Sequence, residues 1–194
     1  MKNQHNAAFS LIEILIAMAI SSLVAIGIYQ VLRGQVQSTK DQTEASQQLR
    51  NSQRARFLMG NDIAQAGFDP LHPSTTPTPI APVTVASNDS ITLQSDFNMN
   101  GTVDDPVAEG QQHEKVIYSY DGSKYEVLRN GTPFLTNVQS FSLSYYIGSS
   151  TTPTTSVLSS QFKDVRKVKV IWTQSAGSKT ERQEFEVAIK NYRG

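Results

Sequence analysis

Residues 9–32 read FSLIEILIAMAISSLVAIGIYQVL. From Ile14 to Leu32 no charge occurs, and at 1.5 Å per residue a helix of that length covers roughly 28 Å, close to the hydrocarbon thickness of a bilayer. Phe9, Leu11 and Ile12 extend the apolar run toward the N-terminus. The segment reads as a membrane-spanning helix. A secretory signal peptide would have a shorter apolar region, about 7–15 residues, closed by a small-residue cleavage site. Here the block is longer and ends at Arg33. A buried core helix is excluded because the remaining chain is too polar to wrap a helix that is hydrophobic all round.

Glu13 interrupts the run. Deep in a bilayer a carboxylate costs on the order of 2.5–3.5 kcal/mol, so a partner for it is expected. The residues around it, Ala8-Phe9-Ser10-Leu11-Ile12-Glu13, resemble the processing signal of type IV prepilins and pseudopilins, in which a short leader is cut before a phenylalanine and a glutamate follows four residues later. The resemblance implies that residues 1–8, MKNQHNAA, are a leader removed by a prepilin peptidase between Ala8 and Phe9. It implies an N-methylated Phe9, and a Glu13 that serves subunit assembly by pairing with the α-amine of an adjacent subunit's Phe9. The implied partners are other major and minor pilins, met through the N-terminal helix. The implied location is a single pass of the inner membrane with the head in the periplasm, then the pilus at the cell surface. Ala8 stands where the family usually has glycine, and Lys2 is the leader's one basic residue. With Arg33 and Lys40 beyond the span, the positive-inside count is close to a tie, so the orientation rests on the resemblance.

Beyond Leu32 no proline occurs before Pro70, and residues 33–66 are rich in Gln, Arg, Ala, Ser and Glu. One helix is expected from Phe9 to Ala66. Residues 9–32 form its transmembrane half and 33–69 its soluble half, ending at Gly67 as C-cap and Pro70 as stop. Ala55, Met59, Ile63 and Ala66, with Leu58 beside them, form a narrow apolar stripe suited to a sheet. The run from Asn61 to Phe68, NDIAQAGF, resembles the helix end of PilW-like minor pilins and of J-type minor pseudopilins of type II secretion.

Residues 70–82 hold five of the eight prolines and read as a stiff extended connector. From there the period is two. Strands are expected at 83–86, 91–95, 115–120, 124–129, 140–147, 165–173 and 184–190. Asp121-Gly122 and Asn130-Gly131 mark turns, so 115–129 reads as a hairpin, and the Ser/Thr/Gly/Pro run 148–156 reads as a mobile loop. The expected fold is α+β and pilin-like: a long N-terminal helix, transmembrane then amphipathic, packed on an antiparallel β-sheet head at 83–194.

One loop has metal-site chemistry. Residues 96–105, DFNMNGTVDD, match the opening of an EF-hand-like calcium loop, with oxygen donors at alternate positions and Gly101 for the sharp turn. Asp96, Asn98, Asn100, the Thr102 carbonyl and Asp104 supply about five of the six to eight oxygens calcium takes. Position 12 is Val107, so Glu109 or Asp105 would have to complete the shell. Residues 89–126 carry eight acidic residues against two lysines, which favours a cation. Turn chemistry alone also explains Asp, Asn and Gly between strands.

Other chemistry lacks support. There is no cysteine, and His5, His72 and His113 are too scattered for a zinc or acid/base pair. No P-loop or serine-nucleophile motif occurs. The 17 basic and 17 acidic residues cancel, which argues against a polyanion partner such as nucleic acid. The basic residues Arg166, Lys167 and Lys169 alternate with valines as on the solvated face of a strand. A structural, non-enzymatic subunit follows: a minor pilin in type IV pilus assembly. The alternatives are a J-type minor pseudopilin of type II secretion, or a membrane-tethered ligand- or DNA-binding module.

Overall fold

The computed structural model describes residues 10–70, 80–104, 112–176 and 179–190. Leader residues 1–8, Phe9, most of the connector, and Asp105, Val107 and Glu109 lie outside them. The chain divides into two units, residues 1–46 and 47–194. Helix α1, Leu11–Gln65, contributes to both.

In the first unit α1 starts at Ser10, whose carbonyl accepts the N–H groups of Glu13 and Ile14. Its apolar side chains, from Leu11 through Leu32, are exposed around the whole helix. It is long and apolar enough to cross a membrane. Water is a poor medium for such a surface, whereas lipid or neighbouring apolar helices cover it without leaving backbone groups unpaired.

In the second unit α1 has one buried face, Ser52, Ala55, Met59 and Ile63, continued by Ala66. The stripe expected from the spacing is the stripe that packs. Gly67, at φ 75°, ends the helix, and its N–H donates to the Gln94 carbonyl. Glycine suits that position because it enters the left-handed region without a Cβ penalty.

The head contains two antiparallel meanders where one sheet was expected. The first orders β1 (Val83–Ala86), β2 (Ser90–Gln94), β3 (Lys115–Asp121), β4 (Glu126–Arg129) and β5 (Thr132–Leu135) side by side. The second orders β6 (Val138–Ile147), β7 (Val165–Ala176) and β8 (Lys179–Ala188). Between β5 and β6 the backbone turns at Asn137, φ 58°, and the Val138 N–H donates to the Tyr125 carbonyl. Strand β6 therefore leaves the first ladder and begins a second. Both sheets contribute to one hydrophobic cluster with α1, including Ile91, Tyr118, Val127, Leu143, Val168, Val170 and Trp172. Trp172 meets Phe185 edge to face at 5.6 Å.

Several boundaries move for local reasons. Asn130 and Gly131 both have positive φ, the signature of a type I′ hairpin turn, so the chain after Arg129 forms β5, which was not expected. Strand β4 starts at Glu126 because Tyr125 sits at φ 57° within the preceding turn. Strand β8 starts at Lys179, five residues early, because its pairing with β7 runs on to the C-terminal end of that strand, Ala176 opposite Lys179. The 148–156 segment is tied to the sheet. Tyr145 and Thr154 exchange backbone hydrogen bonds at 2.7 and 2.9 Å, and an Arg166 Nη donates to the Ser150 carbonyl at 2.6 Å.

Ser52 is the one polar residue among the buried residues of α1, and its Oγ has no hydrogen-bond partner among the described residues. Ser52→Ala removes that desolvated hydroxyl and installs a better helix former, so it is expected to stabilise the head by about 1 kcal/mol. Thermal unfolding followed by fluorescence of Trp172, the only tryptophan, reads the change directly.

Candidate functional site

The first candidate is the start of α1. Ser10-Leu11-Ile12-Glu13 has the S-x-x-E pattern of a capping box, and Glu13 makes one arm of it: the Ser10 N–H donates to Oε2 at 3.0 Å. The carboxylate thus satisfies one of the donors that a helix start leaves open and sits at the positive end of the helix dipole. This contact was not anticipated from the sequence, although the spacing that signals it was present. Ala8 and Phe9 lie outside the described residues.

The second candidate is the 96–104 loop. Asp96 is fully buried, and its two carboxylate oxygens accept the N–H groups of Asn100 at 3.2 Å and Gly101 at 2.9 Å. Gly101 stands at φ 82°. Asn98 Oδ1 accepts the Asn100 N–H, and Asn100 Oδ1 accepts the Thr102 N–H. The side-chain amides of Asn98 and Asn100 both donate to Asp104 Oδ2, at 2.8 and 2.7 Å. Those bonds, the Asn98 one foremost, hold the Asp104 carboxyl below the ordinary aspartate range. Asp96, Asn98, Asn100 and Asp104 are therefore brought together as interlocked turns. Thr102 joins through its N–H and hydroxyl, where a carbonyl ligand was expected.

Sequence spacing missed Glu114, at the far end of this loop. Only 2% exposed, it accepts the N–H groups of Phe97 and Asn98 on Oε1 and that of Asp104 on Oε2, at 2.7–3.0 Å. It closes the loop across its mouth. Its place just before β3 was visible in sequence, but ten residues separate it from Asp104, beyond any local motif. Among the described residues no group of three or more His, Cys, Asp or Glu is placed to hold a metal ion.

A third cluster ties α1 to the first sheet. Asp62 Oδ2 accepts from the Tyr118 hydroxyl at 2.6 Å, and from Arg129 Nε and Nη, each at 3.0 Å. Burial, then the neighbouring Asp62 charge, push the Tyr118 hydroxyl well above its ordinary range, so it stays a donor. The cluster is a structural clamp.

Two of the three basic residues noted on β7, Lys167 and Lys169, are neutralised on the outer face of the second sheet, while Arg166 donates to the Ser150 carbonyl. Lys167 pairs with Glu186 and lies 4.0 Å above the Tyr146 ring, while Lys169 pairs with Glu184, which also holds Arg182. The hydrogen bond from Lys169 pulls Glu184 below the ordinary glutamate range, and that from Lys167 does the same for Glu186. A phosphate would have to displace a carboxylate at Lys167 and at Lys169. His113 is exposed, away from any second described histidine.

Residues 3–29 match a family model described as the prokaryotic N-terminal methylation motif. No curated protein and no solved structure matches the chain. The methylation motif, the long N-terminal helix and the antiparallel β-sheet head packed on it together make a type IV pilin- or pseudopilin-like architecture.

Proposed function

We propose that the chain is a minor pilin, a structural subunit of a type IV pilus that acts in pilus assembly or priming. The observation that carries this reading is the methylation motif at residues 3–29, which takes in most of an all-round apolar helix segment. A subunit inserted in the inner membrane, with its head in the periplasm, can leave the bilayer only if neighbouring apolar helices replace lipid around that surface. Cleavage by a prepilin peptidase between Ala8 and Phe9, methylation of Phe9 and insertion among other major and minor pilins form one sequence of events in this reading. The charge pairing on β7 and β8 disfavours the tethered DNA-binding alternative. A J-type minor pseudopilin of type II secretion shares the processing signal, and purification with sheared pili separates the two. The test is mass spectrometry of the N-terminus in the native host. A mature chain starting at N-methylated Phe9 is expected; Met1 retained in assembled filaments overturns the reading.

We also propose that calcium orders the 96–109 loop through Asp96, Asn98, Asn100, Thr102 and Asp104, with Glu109 the expected final ligand. Support comes from the buried carboxylates of Asp96 and Glu114, neither within ion-pair distance of a cationic side chain among the described residues. Buried charge of one sign favours a cation. The Asn98 and Asn100 amides would have to turn their oxygens inward to ligate. Affinity in the roughly 10⁻⁴ to 10⁻³ M range of extracellular modules is expected. In the full chain in detergent, millimolar calcium should raise the Trp172 unfolding midpoint by a few degrees, magnesium should do less, and Asp96→Ala should remove the effect. Identical curves with calcium and with chelator would leave these residues as turn formers.

A further inference from the structure

The face of α1 opposite its packed stripe is uncovered in the second unit. Arg50, Arg54 and Phe57 follow one another at spacings of four and three, the interval at which residues share one side of a helix. All three are exposed, Phe57 by 75%. Neither Arg50 nor Arg54 has a carboxylate within ion-pair distance among the described residues. Beside them lies a groove of about 290 Å³ lined by Asn51, Arg54, Ala55, Leu58, Pro133 and Phe134. Two guanidinium groups without a carboxylate partner, followed by an exposed aromatic ring, suit a partner that brings carboxylates together with apolar surface.

The chain itself carries such a segment. In the first unit Asp41 and Glu44 are both exposed, one helical turn apart, and neither is in an ion pair. Exposed Val36 lies on the same helix, five residues before Asp41. We propose that Arg50, Arg54 and Phe57 form a docking surface for the Asp41–Glu44 segment of a second copy of this chain. The matching pairs are each one turn apart, so two side-by-side helices can satisfy both at once. Basic patch and acidic patch are different surfaces, so the contact is heterologous, and contacts of that kind generate open helical assemblies when the rotation does not close. The proposal rests on the filament-subunit reading and specifies one of its contacts.

The chain has no cysteine, so a single introduced thiol has one possible address. Full-length Glu44→Cys and Arg54→Cys, carrying different tags and co-expressed in the native host, should form a disulfide-linked dimer under mild oxidation, while either variant alone should give at least fivefold less. Arg54→Glu and Glu44→Arg should each lower co-purification of two tagged wild-type-background copies, by about two- to fivefold given the energies of exposed charge pairs. Combining both substitutions in one chain should restore it to within twofold. The absence of a mixed dimer, or no recovery in the double variant, overturns the proposal. Cross-linking of Arg54→Cys to a different protein also overturns it, by assigning the surface to another subunit. Processing at Phe9 is read from the same samples. If it fails in wild type, the filament reading itself is wrong; if it proceeds while cross-linking fails, only the docking surface is.

Discussion

Glu13→Ala is expected to leave the protein inserted and processed but to reduce its incorporation into filaments by about two orders of magnitude or more. Cleavage before Phe9 would create an α-amine, and in a bundle of apolar helices neither that cation nor the Glu13 carboxylate has water to solvate it. Each is tolerable when it neutralises the other across a subunit contact. Removing one partner of a buried pair typically costs about 3–5 kcal/mol because the other charge is stranded, and about 1.4 kcal/mol is tenfold in an equilibrium. Glu13 also accepts the Ser10 N–H at the start of α1. Loss of a cap contact alone costs only about 1 kcal/mol. Glu13→Gln separates the two roles, since an amide oxygen still accepts from Ser10 but carries no charge. Immunoblots of sheared filaments and membranes, normalised to processed protein, measure both variants. Normal incorporation of Glu13→Ala would remove the assembly role; normal incorporation of Glu13→Gln alone would reduce it to capping.

Asp62→Ala is expected to destabilise the head by about 3–4 kcal/mol, the cost of stranding a partly buried cation and a buried hydroxyl together. One carboxylate oxygen serves both Tyr118 and Arg129, and Tyr118 has no exposed surface through which water could replace it. Tyr118→Phe removes a donor and leaves the Asp62–Arg129 pair intact, so about 1 kcal/mol is expected. The double variant Asp62→Leu, Arg129→Met should recover much of the loss, because replacing both charges with apolar groups leaves nothing unpaired. Urea unfolding of the full chain in detergent, followed by Trp172 fluorescence, gives all three values. A change below about 0.5 kcal/mol for Asp62→Ala would show that the clamp contributes nothing net.

Elements defined by local spacing were legible in sequence. The apolar block, the helix across 33–65, the packed residues Ala55, Met59, Ile63 and Ala66 and the Gly67 cap all follow from periodicity and backbone preference over short intervals. The Asn130-Gly131 turn was equally legible, yet its second arm was not: residues 132–135, TPFL, contain a proline and are too short for a period to stand out.

What sequence alone determined is a single long apolar N-terminal helix, its interrupting Glu13, the methylation motif at residues 3–29 and an α+β head. Those features depend on composition and on contacts between residues three or four positions apart, which a linear string displays. Tertiary structure alone decided that the strands separate into two sheets at Asn137, that Lys167 and Lys169 meet Glu186 and Glu184 across β7 and β8, that Asp62 reaches Tyr118 and Arg129, and that Glu114 closes the 96–104 loop. Apart from the sheet break, each joins a side chain to a group ten to more than sixty residues away in the chain. Which distant groups meet depends on strand register and on which face of α1 is buried, and both follow from packing the whole core at once.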